Sequence, residues 1–287
     1  MSDASATRDT GTVLDKIVAA RRLRLAEDRV ARPESVLAAL IEGAPPARDF
    51  EALLRGGRPA TPEGARVRLI AEVKRASPSK GVFDADLDAV QQATSYARAG
   101  AAAISILTEP DFFAGSIQDL ADVSAAFRAD PDRPALLRKE FIWDEYQLLE
   151  ARAHGADAVL LIVMLLQPDV LTRLIARTRA LGMEPLIEVH DEPELRVALD
   201  CGARVVGVNN RNLRTFEEDL GTTERLAGLV GAAATLVAES AIRTRADAER
   251  MAAAGAHALL IGEALVTGDN VEQRAREFMI APAGTPR

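Results

Sequence analysis

Eight short runs of aliphatic and β-branched residues alternate with amphipathic segments over about 220 residues, and this rhythm restricts the fold more than any other feature. The runs lie at 67–73, 102–107, 135–138, 157–163, 184–189, 204–208, 234–238 and 257–261. Their length and apolar character predict strands buried on both faces. Each is followed by a segment long enough for a crossover helix, the connection that parallel neighbours require. Eight such units close a sheet on itself, so an α/β fold of the (β/α)8 barrel type is expected rather than an open doubly wound sheet. The first run is not followed by a glycine-rich dinucleotide turn, which argues the same way.

Punctuation between the runs agrees with this reading. Asp86, Ser116, Asp144 and Asp191 stand where helix N-caps belong, Pro168 sits in an opening turn, and Thr244 with Asp247 resembles a capping box. Gly100, Gly155, Gly202 and Gly255 each close a helix just before the next run, as a left-handed C′ residue does. The first 66 residues show no strand alternation. Residues 1–12 look frayed. Leu14, Ile17, Val18 and Leu25 form a helical stripe over 15–31, Pro33 opens a second helix, and 48–54 read as a third. Residues 1–66 are therefore expected to be a helical extension packed on a barrel at 67–287, within one domain, because the extension is too small to hold its own core.

Composition excludes several classes. A formal net charge of -8 argues against a nucleic-acid or anionic membrane surface. An anionic substrate would then need a local cluster of Lys and Arg. One cysteine, Cys201, leaves no internal disulfide and fits a reducing compartment. Met1 to Thr12 lacks the apolar core of a signal peptide, and the aliphatic run Ala158 to Leu166 is too short to span a bilayer. A cytoplasmic location is expected.

In a barrel of this kind the C-terminal ends of the strands form the reactive face. Reading those ends in order collects Glu72 and Lys74, then Ser105, Thr108, Glu109, Phe112 and Phe113, then Arg138-Lys139-Glu140-Phe141. The later strands add Glu188-Val189-His190, Asn209-Asn210-Arg211-Asn212, Glu239-Ser240-Ala241 and Gly262-Glu263. Glu72 and Lys74 are two apart in a strand and so share a face. A single Glu-x-Lys is more often a strand-end ion pair than a site, but its neighbours on this rim favour use. Lys74 and Lys139 beside Glu72 and Glu188 make an acid–base set suited to carbonyl chemistry. Ser240 and the unobstructed amide of Gly262, at the opening of the last helix, suit a phosphate. His154, His190 and His257 have no metal-ligand spacing. His154 fits a helix end, where a cation complements the dipole. Ser240 lacks a nucleophile elbow. The Arg-rich helix at 21–32 reads as a solvated face.

The stretch Ile70-Ala71-Glu72-Val73-Lys74-Arg75-Ala76-Ser77-Pro78-Ser79-Lys80-Gly81 resembles the signature of indole-3-glycerol phosphate synthases. The resemblance continues through Ser105-Ile106-Leu107-Thr108-Glu109, Leu137 to Ile142, Glu188-Val189-His190, Gly207 to Leu213 and Ala238-Glu239-Ser240, and covers nearly the whole chain. It implies a carboxy-lyase of L-tryptophan biosynthesis that closes 1-(2-carboxyphenylamino)-1-deoxyribulose 5-phosphate to an indole, without metal or organic cofactor. By the same resemblance Lys139 is the general acid on the ketone. Lys74 lies near the substrate carboxylate and protonates the departing hydroxyl, and Glu72 and Glu188 are candidate bases. Asn209 and Glu239 orient hydroxyls, Arg211 and Ser77 bind the anthranilate end, and Ser79 belongs to an anion-gripping loop with Ser77 and Lys80. Ser240 with the amides around Ala241, Gly262 and Glu263 holds the phosphate, while Phe113, Phe141, Leu160 and Leu213 wall the ring. Other tryptophan-pathway enzymes are the implied partners. Ala241 departs from the family's usual glycine. If the backbone there needs positive φ, Ala costs about 1 kcal/mol, weakening phosphate binding with activity retained. Two other readings compete: a sugar-phosphate isomerase barrel, and a barrel that binds the ligand without turning it over.

Overall fold

The computed structural model describes residues 6–78, 80–266 and 270–279. Barrel strands β1 (Arg68–Val73), β2 (Ala103–Leu107), β3 (Ala135–Lys139), β4 (Ala158–Ile162), β5 (Glu184–Val189), β6 (Val205–Asn209), β7 (Thr235–Glu239) and β8 (Ala258–Ile261) follow the eight apolar runs to within one residue at every end. All pair in parallel, each with its chain neighbours, and β1 closes on β8 with Arg68 opposite Ala258 and Ala71 opposite Ile261. Nearly every strand residue is buried, because side chains facing inward fill the barrel and those facing outward meet the helices.

The helices begin largely where the caps predict. Ser116 caps α6 (Ile117–Ala126), Asp144 caps α7 (Glu145–Ala153), Asp191 caps α9 (Glu192–Asp200), and Thr244 with Asp247 forms a full capping box on α11 (Arg245–Ala253). Pro168 opens α8 (Pro168–Ala180). The first barrel helix, α4 (Ala89–Ala99), is capped by Asp88 rather than Asp86, because Leu87 is drawn into the core before the helix starts. The four expected joint glycines all have positive φ. At Gly100 a Cβ would also lie 2.2 Å from the Ala60 carbonyl oxygen, so two constraints select glycine there.

The prefix touches both ends of the barrel. Helix α1 (Val13–Ala31) starts two residues early because Thr12 caps it in a box with Asp15. Helix α2 (Glu34–Glu42) lies against α7. Helix α3 (Phe50–Gly56) lies under the N-terminal ends of the strands, where Arg55 Nε donates to Thr235 Oγ1 at 2.8 Å and Phe50 and Leu54 are fully buried. Two expectations fail here. Residues 6–12 are tied down rather than frayed: the Arg8 amide donates to the Leu165 carbonyl at 2.8 Å, and Thr7 pairs with Leu166. The Arg-rich face is not wholly solvated either. Arg21 is buried and joins Glu140, Asp28 and Glu150 in an ion network, which attaches α1 to β3 and α7.

Among the described residues no helix is long and apolar enough to cross a membrane.

Candidate active site

Alternation along β3 sorts its terminal charges. Lys139 points into the barrel mouth, while Arg138 and Glu140 turn outward into the buried network with Glu150 and Arg21. On β1 the expected shared face of Glu72 and Lys74 is present: Lys74 Nζ lies 2.8 Å from Glu72 Oε1. The other Glu72 oxygen faces Lys139 Nζ at 3.5 Å, and Lys139 also lies 3.7 Å from Glu239 Oε2. On the far side of the mouth Asn209 Nδ2 donates to Glu188 Oε1 at 3.2 Å. Glu72, Lys74, Lys139, Glu188, Asn209 and Glu239 thus meet in one cluster, whereas Thr108 joins the outward Arg138–Glu140 network and Glu109 accepts the amides of Asp111 and Phe112.

Burial alone would raise the Glu72 carboxyl, but the ammonium groups of Lys74 and Lys139 outweigh it and hold the group at about 2. Burial would lower Lys139, yet the charges of Glu72, Glu239 and Glu188 push it above the ordinary lysine range. Glu188 is likewise brought down to about 2 against burial, first by His190 and then by Lys139. Glu239 behaves differently. Burial and the nearby Glu188 charge raise its carboxyl to about 8, with Lys139 opposing only in part. Neither of its oxygens has a hydrogen-bond partner among the described residues. Lys139, Glu72 and Glu188 hold one another charged, and Glu239 is the carboxyl placed to titrate near neutrality.

Two glycines make room for these carboxylates. A Cβ at Gly207 would sit 2.0 Å from Glu239 Oε1, and one at Gly262 would sit 2.6 Å from Glu72 Oε1. Gly262 therefore borders the acid–base cluster as well as the proposed phosphate end. It opens a single 3-10 turn, Glu263–Leu265, rather than the last α-helix, which is α12 (Val271–Phe278). Ser240 and Ala241 both have φ of 62°, the left-handed region, so the condition under which Ala241 costs stability is met. The Glu263 side chain is paired with Lys80.

The remaining predicted residues, Ser79 apart, line the same cleft. Phe113 and Phe141 stack with ring centroids 5.9 Å apart, and Leu160, Leu213 and Ser77 contribute to the walls. Arg211 is paired with Glu218 at 2.5 Å, and Glu218 also holds Arg243. Ser77 lies on a short hairpin in which Ala76 and Ser77 pair with Val82 and Gly81. Arg75 turns away from the cleft and clamps this loop to α6 through Asp119. Ser79 lies outside the described residues.

Sequence reasoning missed several contributors. Val13, Leu14 and Ile17 of α1 form part of the cleft wall, foreshadowed only by the apolar stripe. His190, set aside for want of metal spacing, has its imidazole 3.4 Å from Glu188 and 3.0 Å from Glu194. Its signal was the pair of carboxylates two residues before it and four after. His154 does lie at a helix end, but burial lowers its pKa, so it is a poor complement to the dipole.

The family model described as indole-3-glycerol phosphate synthase matches residues 14–278. The chain is 46% identical over 271 residues to an indole-3-glycerol phosphate synthase of Roseiflexus sp. (strain RS-1), covering 93% of this chain and 98% of that protein. It is also 47% identical over 236 residues to a multifunctional tryptophan biosynthesis protein of Phycomyces blakesleeanus, covering 82% of this chain and 30% of that one. Among solved structures, 3-hexulose-6-phosphate synthase from Salmonella typhimurium superposes with a TM-score of 0.59 at 11% identity, over 74% of this chain and 97% of that chain, a likeness of fold alone. With the family match running from the first prefix helix through the last helix, the chain belongs to the indole-3-glycerol phosphate synthase family, the carboxy-lyases of tryptophan biosynthesis.

Proposed function

We propose the following division of labour for the family's reaction, the closure of 1-(2-carboxyphenylamino)-1-deoxyribulose 5-phosphate to indole-3-glycerol phosphate with loss of carbon dioxide and water. Lys139 is the general acid. The observation that carries this is its half-buried ammonium, within 3.7 Å of both Glu72 and Glu239 and further held protonated by the Glu188 charge. Such a cation enters the reaction carrying its proton and can give it to the ketone oxygen as negative charge develops there. Lys74 receives the substrate carboxylate and later protonates the departing hydroxyl. Glu72 and Glu188 remove protons during dehydration. The two oxygens of Glu239, which have no hydrogen bond among the described residues, are with Asn209 suited to the substrate hydroxyls.

At the two ends of the substrate, Arg211 and Ser77 hold the anthranilate group. Ser240 with the amides around Ala241, Gly262 and Glu263 holds the phosphate, and Phe113, Phe141, Leu160 and Leu213 flank the ring. The prefix belongs to the same folding unit as the barrel, supported by the buried Arg21–Glu140 pair and by the place of α3 under the strands. The biosynthetic role supports a cytoplasmic site of action. Association with other tryptophan-pathway enzymes is supported by the match to a multifunctional tryptophan biosynthesis protein.

The direct test is the appearance of indole fluorescence on mixing with substrate. In Lys139→Met, turnover is expected to fall roughly 10³-fold, the scale of a lost general acid, while the phosphate end still binds. Unchanged turnover would refute the assignment.

A further inference from the structure

His190 ends β5 one residue beyond the strand, and its side chain is only 8% exposed. One ring nitrogen, Nε2, lies 3.4 Å from Glu188 Oε1, and the other, Nδ1, lies 3.0 Å from Glu194 Oε2. The same Glu194 oxygen accepts the His190 backbone amide at 2.8 Å. Glu194 is itself fixed, because its own amide donates to Asp191 Oδ1 at 2.9 Å in the N-cap of α9. A helix start, a carboxylate and an imidazole are thus hydrogen-bonded in line, and the rim carboxylate faces the imidazole Nε2 at ion-pair distance, Nε2 itself having no hydrogen bond among the described residues. Asn209 grips Glu188 on the other side, at 3.2 Å.

We propose that His190, anchored by Glu194, is a positioning residue that fixes the Glu188 carboxylate for proton removal. The inference rests on the reading of Glu188 as a base. An imidazole between two carboxylates is stabilised as the imidazolium, with a proton on each nitrogen, so it can donate to Glu194 and present a charged N–H to Glu188 at ion-pair distance at once. Burial would favour neutral imidazole, but Glu188 and Glu194 overcome it and raise the group to about 10. The other charges facing Glu188 are Lys139 from β3 and, across the mouth, Glu239 from β7. Lys139 lowers the Glu188 carboxyl as His190 does, whereas Glu188 and Glu239 repel. Loss of His190 therefore removes one of two cations that keep Glu188 ionised, and leaves its orientation to Asn209 alone.

The test has two independent readouts. In the unaltered enzyme, nitrogen NMR of the imidazoles, assigned with His190→Asn, should show both His190 nitrogens protonated at pH 8. A neutral ring there would overturn the proposal. In His190→Asn, kcat at neutral pH should fall about tenfold with KM changed less than twofold, as loss of orientation predicts. Its acidic limb should also move up toward the ordinary carboxylate range. A limb that stays in place, or a loss confined to KM, would refute positioning. Should His190→Asn fold poorly, Glu194→Gln keeps the test open. It should lower the His190 pKa and reduce kcat in the same sense, and no change in either would count against the relay. The underlying reading is separated by Glu188→Gln. Full turnover in that variant removes Glu188 as a base, whereas the NMR result stands apart from turnover.

Discussion

The two ends of the barrel both bury carboxylates, and one at the mouth is treated in the opposite way to those at the floor. At the floor, Asp157 precedes β4 and is fully buried, with four bonds. Arg133 donates from Nη1 at 2.5 Å and Nη2 at 2.8 Å, and the amides of Leu136 and Arg48 donate at 2.7 and 2.8 Å. Glu184, where β5 begins, is likewise gripped by Arg179 and Arg204. At the mouth, Glu239 is as deeply buried but has no hydrogen bond among the described residues, and it stands beside a second carboxylate. Buried charge is therefore no mark of a site by itself. Paired carboxylates hold the floor together, and the one carboxyl without a hydrogen bond, Glu239, marks the end at which a ligand can supply what is missing.

The contrast can be broken most forcefully at the floor. Asp157→Ala strands the Arg133 guanidinium and two backbone amides, so urea unfolding should show a loss of about 3–5 kcal/mol. A loss under 1 kcal/mol would mean that the floor pair holds little.

Glu239→Gln should instead lower activity while leaving the fold intact, and it alters the pH dependence of stability. With its carboxyl raised from 4.5 to about 8, folded Glu239 keeps a proton that the unfolded chain releases. Its contribution therefore declines as pH rises from about 4.5 to about 8. Glu72, lowered to about 2, acts in the opposite sense: its contribution is full above 4.5 and is lost as pH falls toward 2. Denaturation of Glu239→Gln at several pH values should show a flatter course between 5 and 8 than the unaltered chain. Identical slopes would show that Glu239 is not raised.

The smallest effect is expected at Ala241. Its left-handed backbone should make Ala241→Gly more stable by about 1 kcal/mol, with inorganic phosphate bound at least as tightly. Weaker phosphate binding in the glycine variant would reverse that expectation.

The barrel was legible because strands buried on both faces write continuous apolar runs, and because caps and joint glycines are local in sequence. The rim was legible for a related reason: once the strand ends are located, topology alone gathers Glu72, Lys139, Glu188 and Glu239. What stayed hidden depends on distant partners. Arg21 reads as one more surface arginine until Glu140, 119 residues away, is placed against it. Residues 6–12 look frayed because their partners lie in the turn after β4. His190 carries only a faint local hint, carboxylates two residues before it and four after, which becomes contact once the end of β5 and the start of α9 place them on either side of the ring. The left-handed φ of Ser240 leaves no trace in the residue type.

Gly207 has a consequence for anyone moving this chemistry to another scaffold. The space where its Cβ would stand is occupied by Glu239 Oε1, contributed by the adjacent strand 32 positions later. Glycine and glutamate are thus a single inheritance. A recipient barrel given the glutamate but an alanine at the facing position would have the right functional groups and no room for one of them. Directed evolution that samples the two positions one at a time should find neither change useful alone.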